Sequence, residues 1–208
     1  MEKTQRKIEK FRQREQRILD AALELLLQFG EETVTVEQIA NHVDIGKGTI
    51  YKHFVSKTEI YMRLLFDYEK QLEDRLKAAI HDAEQGNYAA PARAYFESRM
   101  SNTAKDRLFQ RLEEKMIALK QAPEMIEELH QMRNSIFESM NDVFTRRIGE
   151  GFLQDVPPHY YYYTYWALTQ GAVELFNSKA FRFVDSDKEG LKKFIMDVGV
   201  HMGNKKTD

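Results

Sequence analysis

Lys47, Thr49, Tyr51, Lys52 and His53 fall in one short run, KGTIYKH, beside the apolar Ile50 and Phe54, which are spaced i and i+4. Wound as a helix, this run buries its two apolar residues and turns cations, hydroxyls and an imidazole outward. Such a face recognises rather than catalyses: ammonium groups meet phosphate oxygens, and a threonine hydroxyl and methyl can meet a base edge. The flanking sequence supplies what would position it. Thr35 with Gln38 three residues later forms a capping box, and Val36, Ile39, Ala40 and Val43 then share one helical face. Asp44-Ile45-Gly46 interrupts that pattern, with Gly46 expected to take the left-handed or turn backbone of a sharp corner. The second helix is expected over Lys47 to Phe54. Ser56 and Glu59 form a second box opening another helix, and Lys57 at its start could hold a phosphate together with backbone N–H groups. A short helix, a tight turn and a polar second helix are the arrangement that enters a DNA major groove. The bland alternative, a structural hairpin with Tyr51 partly in the core, explains the two helices but not the successive caps.

Other chemistry finds little support. The six histidines (42, 53, 81, 130, 159 and 201) are scattered, with no HExxH pairing, and His130 beside Glu127 and Glu128 reads as a solvated face rather than as metal ligands. Gly46-Lys47-Gly48-Thr49 lacks the upstream glycine and preceding strand of a phosphate loop. The chain has no cysteine, which excludes disulfides and thiolate catalysis. No enzyme activity, metal or cofactor is expected. A net charge of −2 argues against a general polyanion binder, but position matters more than the total. Lys3, Arg6, Lys7, Lys10, Arg12, Arg14 and Arg17 outnumber Glu2, Glu9 and Glu15 ahead of the helical pair, so that arm could meet phosphates, or simply be a solvated helix start. No run of 18 apolar residues and no apolar leader core is present, so the expectation is a cytoplasmic protein with no membrane partner.

Stepping along the chain, long amphipathic runs and four prolines at helix boundaries predict an all-α fold of about nine helices. A first helix is expected from Phe11 to Phe29, stopped by Gly30. A long helix from Lys57 to about Ile80 carries the stripe Tyr61, Leu64, Leu65, Tyr68, Leu72 and Leu76, long enough to link two domains. Further helices are expected from Pro91, over Lys105–Lys120, from Pro123 to Gly149, from Pro157-Pro158 to near Phe181, and after Asp187. The expected organisation is a DNA-binding domain over residues 1–56 and a second domain over 57–208. The aromatic run Tyr160 to Tyr163, with Tyr165 and Trp166, covers every side of a helix and reads as core plus interface rather than as a cation cage.

The segment Arg17 to Leu65 resembles the DNA-binding domain of TetR-type transcriptional repressors. The resemblance is carried by ILDAALELLLQFG, TVEQIA, GKGTIYKHF and SKTEIY, and covers about a quarter of the chain. It implies a homodimeric repressor on a roughly palindromic operator, released by a small-molecule effector. It places Lys47, Gly48 and Thr49 at the groove, with Gly48 allowing close backbone approach. Thr35, Tyr51, His53 and Lys57 would contact phosphates, and Lys52 a base or the backbone. Gly46 departs from the small polar residue that many relatives carry there, so a polar contact is missing. The resemblance also implies that the last two helices pair with their copies, with Trp166, Ala167, Gly171, Phe194, Val198 and Met202 at that interface. A ligand cavity is expected among Tyr68, Arg99, Met100, Met116, Met132, Ile136, Met140 and Gln170. Their aliphatic, aromatic and thioether character points to an apolar or amphipathic effector such as a fatty-acyl compound or a hydrophobic drug. The alternative is a constitutive or architectural DNA binder with no effector.

Overall fold

In a computed structural model, residues 2–180 and 187–205 are described. Nine helices and no strand are present among them: α1 Glu2–Phe29, α2 Val36–His42, α3 Lys47–Ile50, α4 Lys57–Glu84, α5 Ala90–Met100, α6 Thr103–Ala118, α7 Pro123–Gly149, α8 His159–Asn177 and α9 Lys188–His201. The all-α expectation holds. The expected end of the eighth helix near Phe181 lies outside the described residues, and the helix itself stops at Asn177. Three further boundaries differ from expectation by more than two residues. Helix α1 begins nine residues before Phe11, because the Lys/Glu-rich arm is itself good helix-forming sequence. Helix α4 continues past Ile80 to Glu84. Helix α3 is only one turn, and Tyr51, Lys52 and His53 follow as a tighter turn with i→i+3 bonds, Lys52 N–H to Thr49 O at 3.1 Å and His53 N–H to Ile50 O at 2.9 Å.

The chain gathers into two compact units. The first comprises residues 1–67 and 108–127, the second residues 68–107 and 128–208. In the first unit, Ile18, Ala22, Leu26, Ile39, Ala40, Ile50, Phe54, Ile60 and Leu65 are all buried. Gly30, at φ 80°, ends α1 in the left-handed conformation that only glycine adopts without cost. The stretch from α6 is tied to the loop after Gly30 by ion pairs Arg111–Glu31 at 3.1 Å and Lys115–Glu32 at 2.6 Å.

The second unit is built around α5, whose Tyr95 and Phe96 are fully enclosed. Helices α8 and α9 pack on it, and Leu72, Leu76, Met100, Ile136, Met140, Phe144, Tyr161 and Tyr165 complete one core. Gly199 of α9 lies flat on the Phe96 ring, so closely that a Cβ there would overlap it. The α7–α8 connection is stitched to the end of α9 by a one-residue antiparallel bridge, Leu153 with Asn204. Gln154 N–H donates to Gly203 O and Lys205 N–H to Phe152 O, both at 2.9 Å.

Candidate nucleic-acid interface and ligand pocket

The local structure between Thr35 and Lys57 follows from its caps. Thr35 Oγ1 accepts from Gln38 N–H at 3.2 Å while Gln38 Oε1 accepts from Thr35 N–H at 2.7 Å, the reciprocal box that starts α2. Ser56 Oγ accepts from Glu59 N–H at 3.1 Å, but the Glu59 carboxylate reaches one residue further back, to Val55 N–H at 2.6 Å. The corner between α2 and α3 uses Asp44, not Gly46, as its left-handed residue: Asp44 has φ 55°, whereas Gly46 is extended at φ −72° and caps α3. Aspartate tolerates this conformation through its short polar side chain, so the glycine was the wrong marker for the turn.

Ile50 and Phe54 anchor α3 and its following turn in the core at 0% and 3% exposure. Thr35, Lys47, Gly48, Tyr51 and Lys52 are exposed and Thr49 is half-exposed. A Cβ on Gly48 would meet open space, so nothing in this chain crowds that point of the backbone. Two expected phosphate contacts are placed differently. The His53 side chain is 3% exposed, its ring 4.0 Å from that of Phe11 and Nδ1 3.9 Å from Glu15. Phe11 and Glu15 of α1 lie against it, and burial lowers its pKa, opposed by the Glu15 charge. Lys57 is half-buried; its Nζ donates to Glu31 O at 3.3 Å and lies 5.3 Å from the Tyr61 ring. Desolvation, then the Lys115 charge, lower the Lys57 pKa.

In the second unit the residues expected to line a cavity separate into two kinds. Met100, Ile136 and Met140 are closed into the core at 3%, 3% and 0% exposure, while Met132 and Gln170 are half-buried. Met116 is buried and belongs to the first unit. Arg99 and Tyr68 instead belong to a polar cluster that joins four helices. The Glu69 carboxylate, 1% exposed, accepts from Arg99 Nη2 at 3.0 Å and from Arg133 Nη2 at 2.8 Å. Arg99 Nη1 also reaches Asp106 at 3.4 Å, and the Tyr68 hydroxyl donates to the same Asp106 oxygen. Burial would raise the pKa of Glu69, but the Arg99 and Arg133 charges outweigh it and hold the carboxyl below its ordinary range. Burial is also the first cause that pushes the Tyr68 phenol far up, followed by the Asp106 charge.

Sequence reasoning missed Glu69, Asp106 and Arg133. The signal was present: Glu69 sits four residues after Leu65 and three before Leu72, a charge in the middle of an apolar stripe. Beside this cluster a pocket of about 180 Å³ opens between α4, α5 and the start of α6, with Arg75, Arg99 and Lys105 in its wall. A second pocket of about 180 Å³ lies among α5, α7 and α9, where the Arg147 guanidinium is 4.0 Å from the Tyr88 ring and 4.1 Å from Phe152. No group of three His, Asp or Glu side chains suited to a metal is found among the described residues, and no helix there is long and apolar enough to cross a membrane.

The residues expected at a dimer interface lie on α8 and α9. Trp166, Phe194 and Val198 are 51%, 65% and 46% exposed, Ala167 and Gly171 are also exposed, and Met202 is half-buried against the core. The aromatic run divides as its spacing demands: Tyr161 and Tyr165 are buried, while Tyr160 and Tyr163 remain exposed.

Residues 18–64 match the family model described as bacterial regulatory proteins, tetR family. The HTH-type transcriptional regulator SrpR of Pseudomonas putida is 38% identical over 58 residues, 28% of this chain and 27% of that protein. The HTH-type transcriptional repressor KstR of Rhodococcus jostii (strain RHA1) is 33% identical over 66 residues, 32% of this chain and 31% of that one. The match thus spans less than a third of either relative. Over the whole chain the likeness is one of fold. A tetR-family regulatory protein from Rhodococcus RHA1 superposes with a TM-score of 0.72 at 17% identity, covering 92% of this chain and 97% of the other. AibR in complex with isovaleryl coenzyme A and operator DNA gives 0.66 at 15% identity, covering 91% and 97%.

Proposed function

We infer that this chain, a TetR-type helix-turn-helix transcriptional regulator, acts in the cytoplasm as a homodimeric repressor. It binds a roughly palindromic operator and leaves it when a small molecule occupies the second unit. The observation that carries DNA recognition is the contrast across α3: Ile50 and Phe54 are locked inside, while Lys47, Gly48, Thr49, Tyr51 and Lys52 stand outside on a segment held by caps at either end. Thr49 is the residue best suited to a base edge. Lys47, Tyr51 and Lys52 serve the phosphates, with Thr35 at the start of α2. Two copies are needed because one recognition helix reads only a half-site, and the half-sites lie about one turn of DNA apart. The exposed Trp166, Phe194 and Val198, with the small Ala167 and Gly171 allowing close approach, support pairing through α8 and α9.

The effector reading is supported by the pocket beside Arg99 and by a structurally similar protein described with both an acyl coenzyme A and operator DNA. The transmitting element in this reading is α4, whose first turn carries Lys57 and whose later turns carry Tyr68, Glu69 and Leu72. An effector that favours the DNA-free arrangement by about 1–3 kcal/mol would weaken operator binding roughly 5–150-fold. The test is binding to cognate and scrambled duplexes across salt. Thr49→Ala is expected to cost about 1–3 kcal/mol on the cognate site alone, and Lys47→Ala and Tyr51→Ala to weaken both duplexes together. Unchanged affinity in all three variants would overturn the assignment.

A further inference from the structure

The pocket between α4, α5 and the start of α6 has an uneven wall. Its side chains include Arg75, Arg99 and Lys105 with Gln71, Ser101 and Asn102, and no carboxylate is among its lining residues. Leu72 and the Tyr68 ring supply its apolar surface. The carboxylates of Glu69 and Asp106 are 1% and 2% exposed and are engaged with Arg99, Arg133 and Tyr68. Arg75 is held toward the pocket by donation from Nη1 to Ser98 Oγ at 3.3 Å. Lys105 stands 5.3 Å from the Tyr68 ring. Helix α6 begins at this wall, where Asn102 Oδ1 accepts from Lys105 N–H at 3.0 Å. Guanidinium and ammonium donors converging with polar side chains on a concave site form a receptor for anionic oxygens.

We propose that this pocket is an anion subsite, taking the carboxylate or phosphate of a small molecule against Arg75 and Lys105, with Arg99 in its floor. The subsite deepens the effector reading above and, of the apolar or amphipathic effectors expected, favours an amphipathic one with an anionic end. It also gives that reading a local mechanism. Arg99 already divides its N–H groups between Glu69 of α4 and Asp106 of α6. An arriving anion competes with both carboxylates for that guanidinium, and the helices they belong to shift relative to α5. Because α4 carries Glu69, the disturbance enters the one helix that also begins at Lys57.

The experiment uses the full-length protein and three probes of similar shape: benzoate, phenyl phosphate and benzamide. Calorimetric titration is expected to show at least one anion binding roughly tenfold or more tightly than the neutral amide, the scale of a hydrogen bond to a charged group. Benzoate and phenyl phosphate separate the two sources of the anionic group. Arg75→Gln, at an exposed position where folding is not at stake, should weaken the preferred anion by a similar factor, whereas Arg93→Gln, exposed on α5 and outside the wall, should not. Benzamide binding as tightly as both anions, no anion binding at millimolar concentration, or full affinity in Arg75→Gln would each overturn the subsite. Operator release is scored in the same samples. Anion binding that depends on Arg75 without release of DNA would keep the subsite and remove the effector reading. Release by a neutral compound with no anion binding would do the reverse.

Discussion

Replacing Glu69 by alanine should be among the most damaging single changes available in the second unit. The carboxylate is 1% exposed and accepts hydrogen bonds from two guanidiniums, with Arg99 at 3.0 and 3.2 Å and Arg133 at 2.8 and 3.1 Å. Deleting it leaves Arg99 with only the 3.4 Å contact to Asp106 among its acidic partners here. Removing one partner of a buried ion cluster costs about 3–5 kcal/mol, because the charge left behind stays desolvated. In a chain of this size that should lower the Tm by roughly 6–20 °C. The same reasoning predicts that the cluster as a whole adds little. Glu69→Leu, Arg99→Met, Arg133→Met and Asp106→Asn made together should recover most of the loss, since burying the ions offsets much of their attraction. Urea denaturation followed by the fluorescence of Trp166, the only tryptophan, reads the second unit, at one fixed protein concentration because a dimer's stability depends on it. The charge also sets a pH dependence. Its folded pKa lies below the ordinary value, so the unfolded chain takes up the proton first, and this contribution is present above the carboxylate range and lost as pH falls through it. A Glu69→Ala variant within about 1 kcal/mol of the parent would refute the account, because exposed pairs rather than desolvated ones behave that way.

If α8 and α9 pair with their copies as proposed, Gly171→Arg should leave the protomer intact, since a Cβ there meets open space, yet sediment as a monomer and bind the operator far more weakly. Gly199→Ala should cost about 1–3 kcal/mol by pushing a methyl group into the Phe96 ring, measured by thermal unfolding of both proteins. His53 has its pKa lowered by burial, so its neutral form stabilises the fold above the usual histidine value of about 6.5. That contribution fades as pH falls through the lower folded value. His53→Gln should therefore flatten the loss of stability between neutral and mildly acidic pH, and an unchanged pH profile would place the ring in solvent.

The sequence was most legible where chemistry is local. The Thr35–Gln38 and Ser56–Glu59 caps depend on residues three apart; the first box closes on both sides, and the second keeps its Ser56 cap while Glu59 turns to Val55. Ile50 and Phe54 announced their burial by a four-residue spacing. His53 was misjudged because its environment is set by Phe11 and Glu15, about forty residues earlier and on another helix. The cluster around Glu69 was hidden for the same reason. Five charged or hydroxylated side chains on four helices look like ordinary surface residues until tertiary packing brings them into register. Methionine identity likewise could not separate pocket from packing: Met140 is fully enclosed, and neither of the two pockets described has a methionine in its wall.

The bridge between Leu153 and Asn204 makes the residues that follow α9 a working part of the second unit. Helices α8 and α9 lie between the two bridged residues, so the segment bearing the exposed apolar face is a closed loop fastened by Gln154 on Gly203 and Lys205 on Phe152. Closing a loop removes freedom that the face would otherwise have to lose on pairing. For anyone handling the protein the consequence is practical. A trimmed chain ending before Gly203 would release α9 at that fastening, and an affinity tag at this terminus needs a spacer beginning after Lys205, so that the clasp closes before the appended residues start.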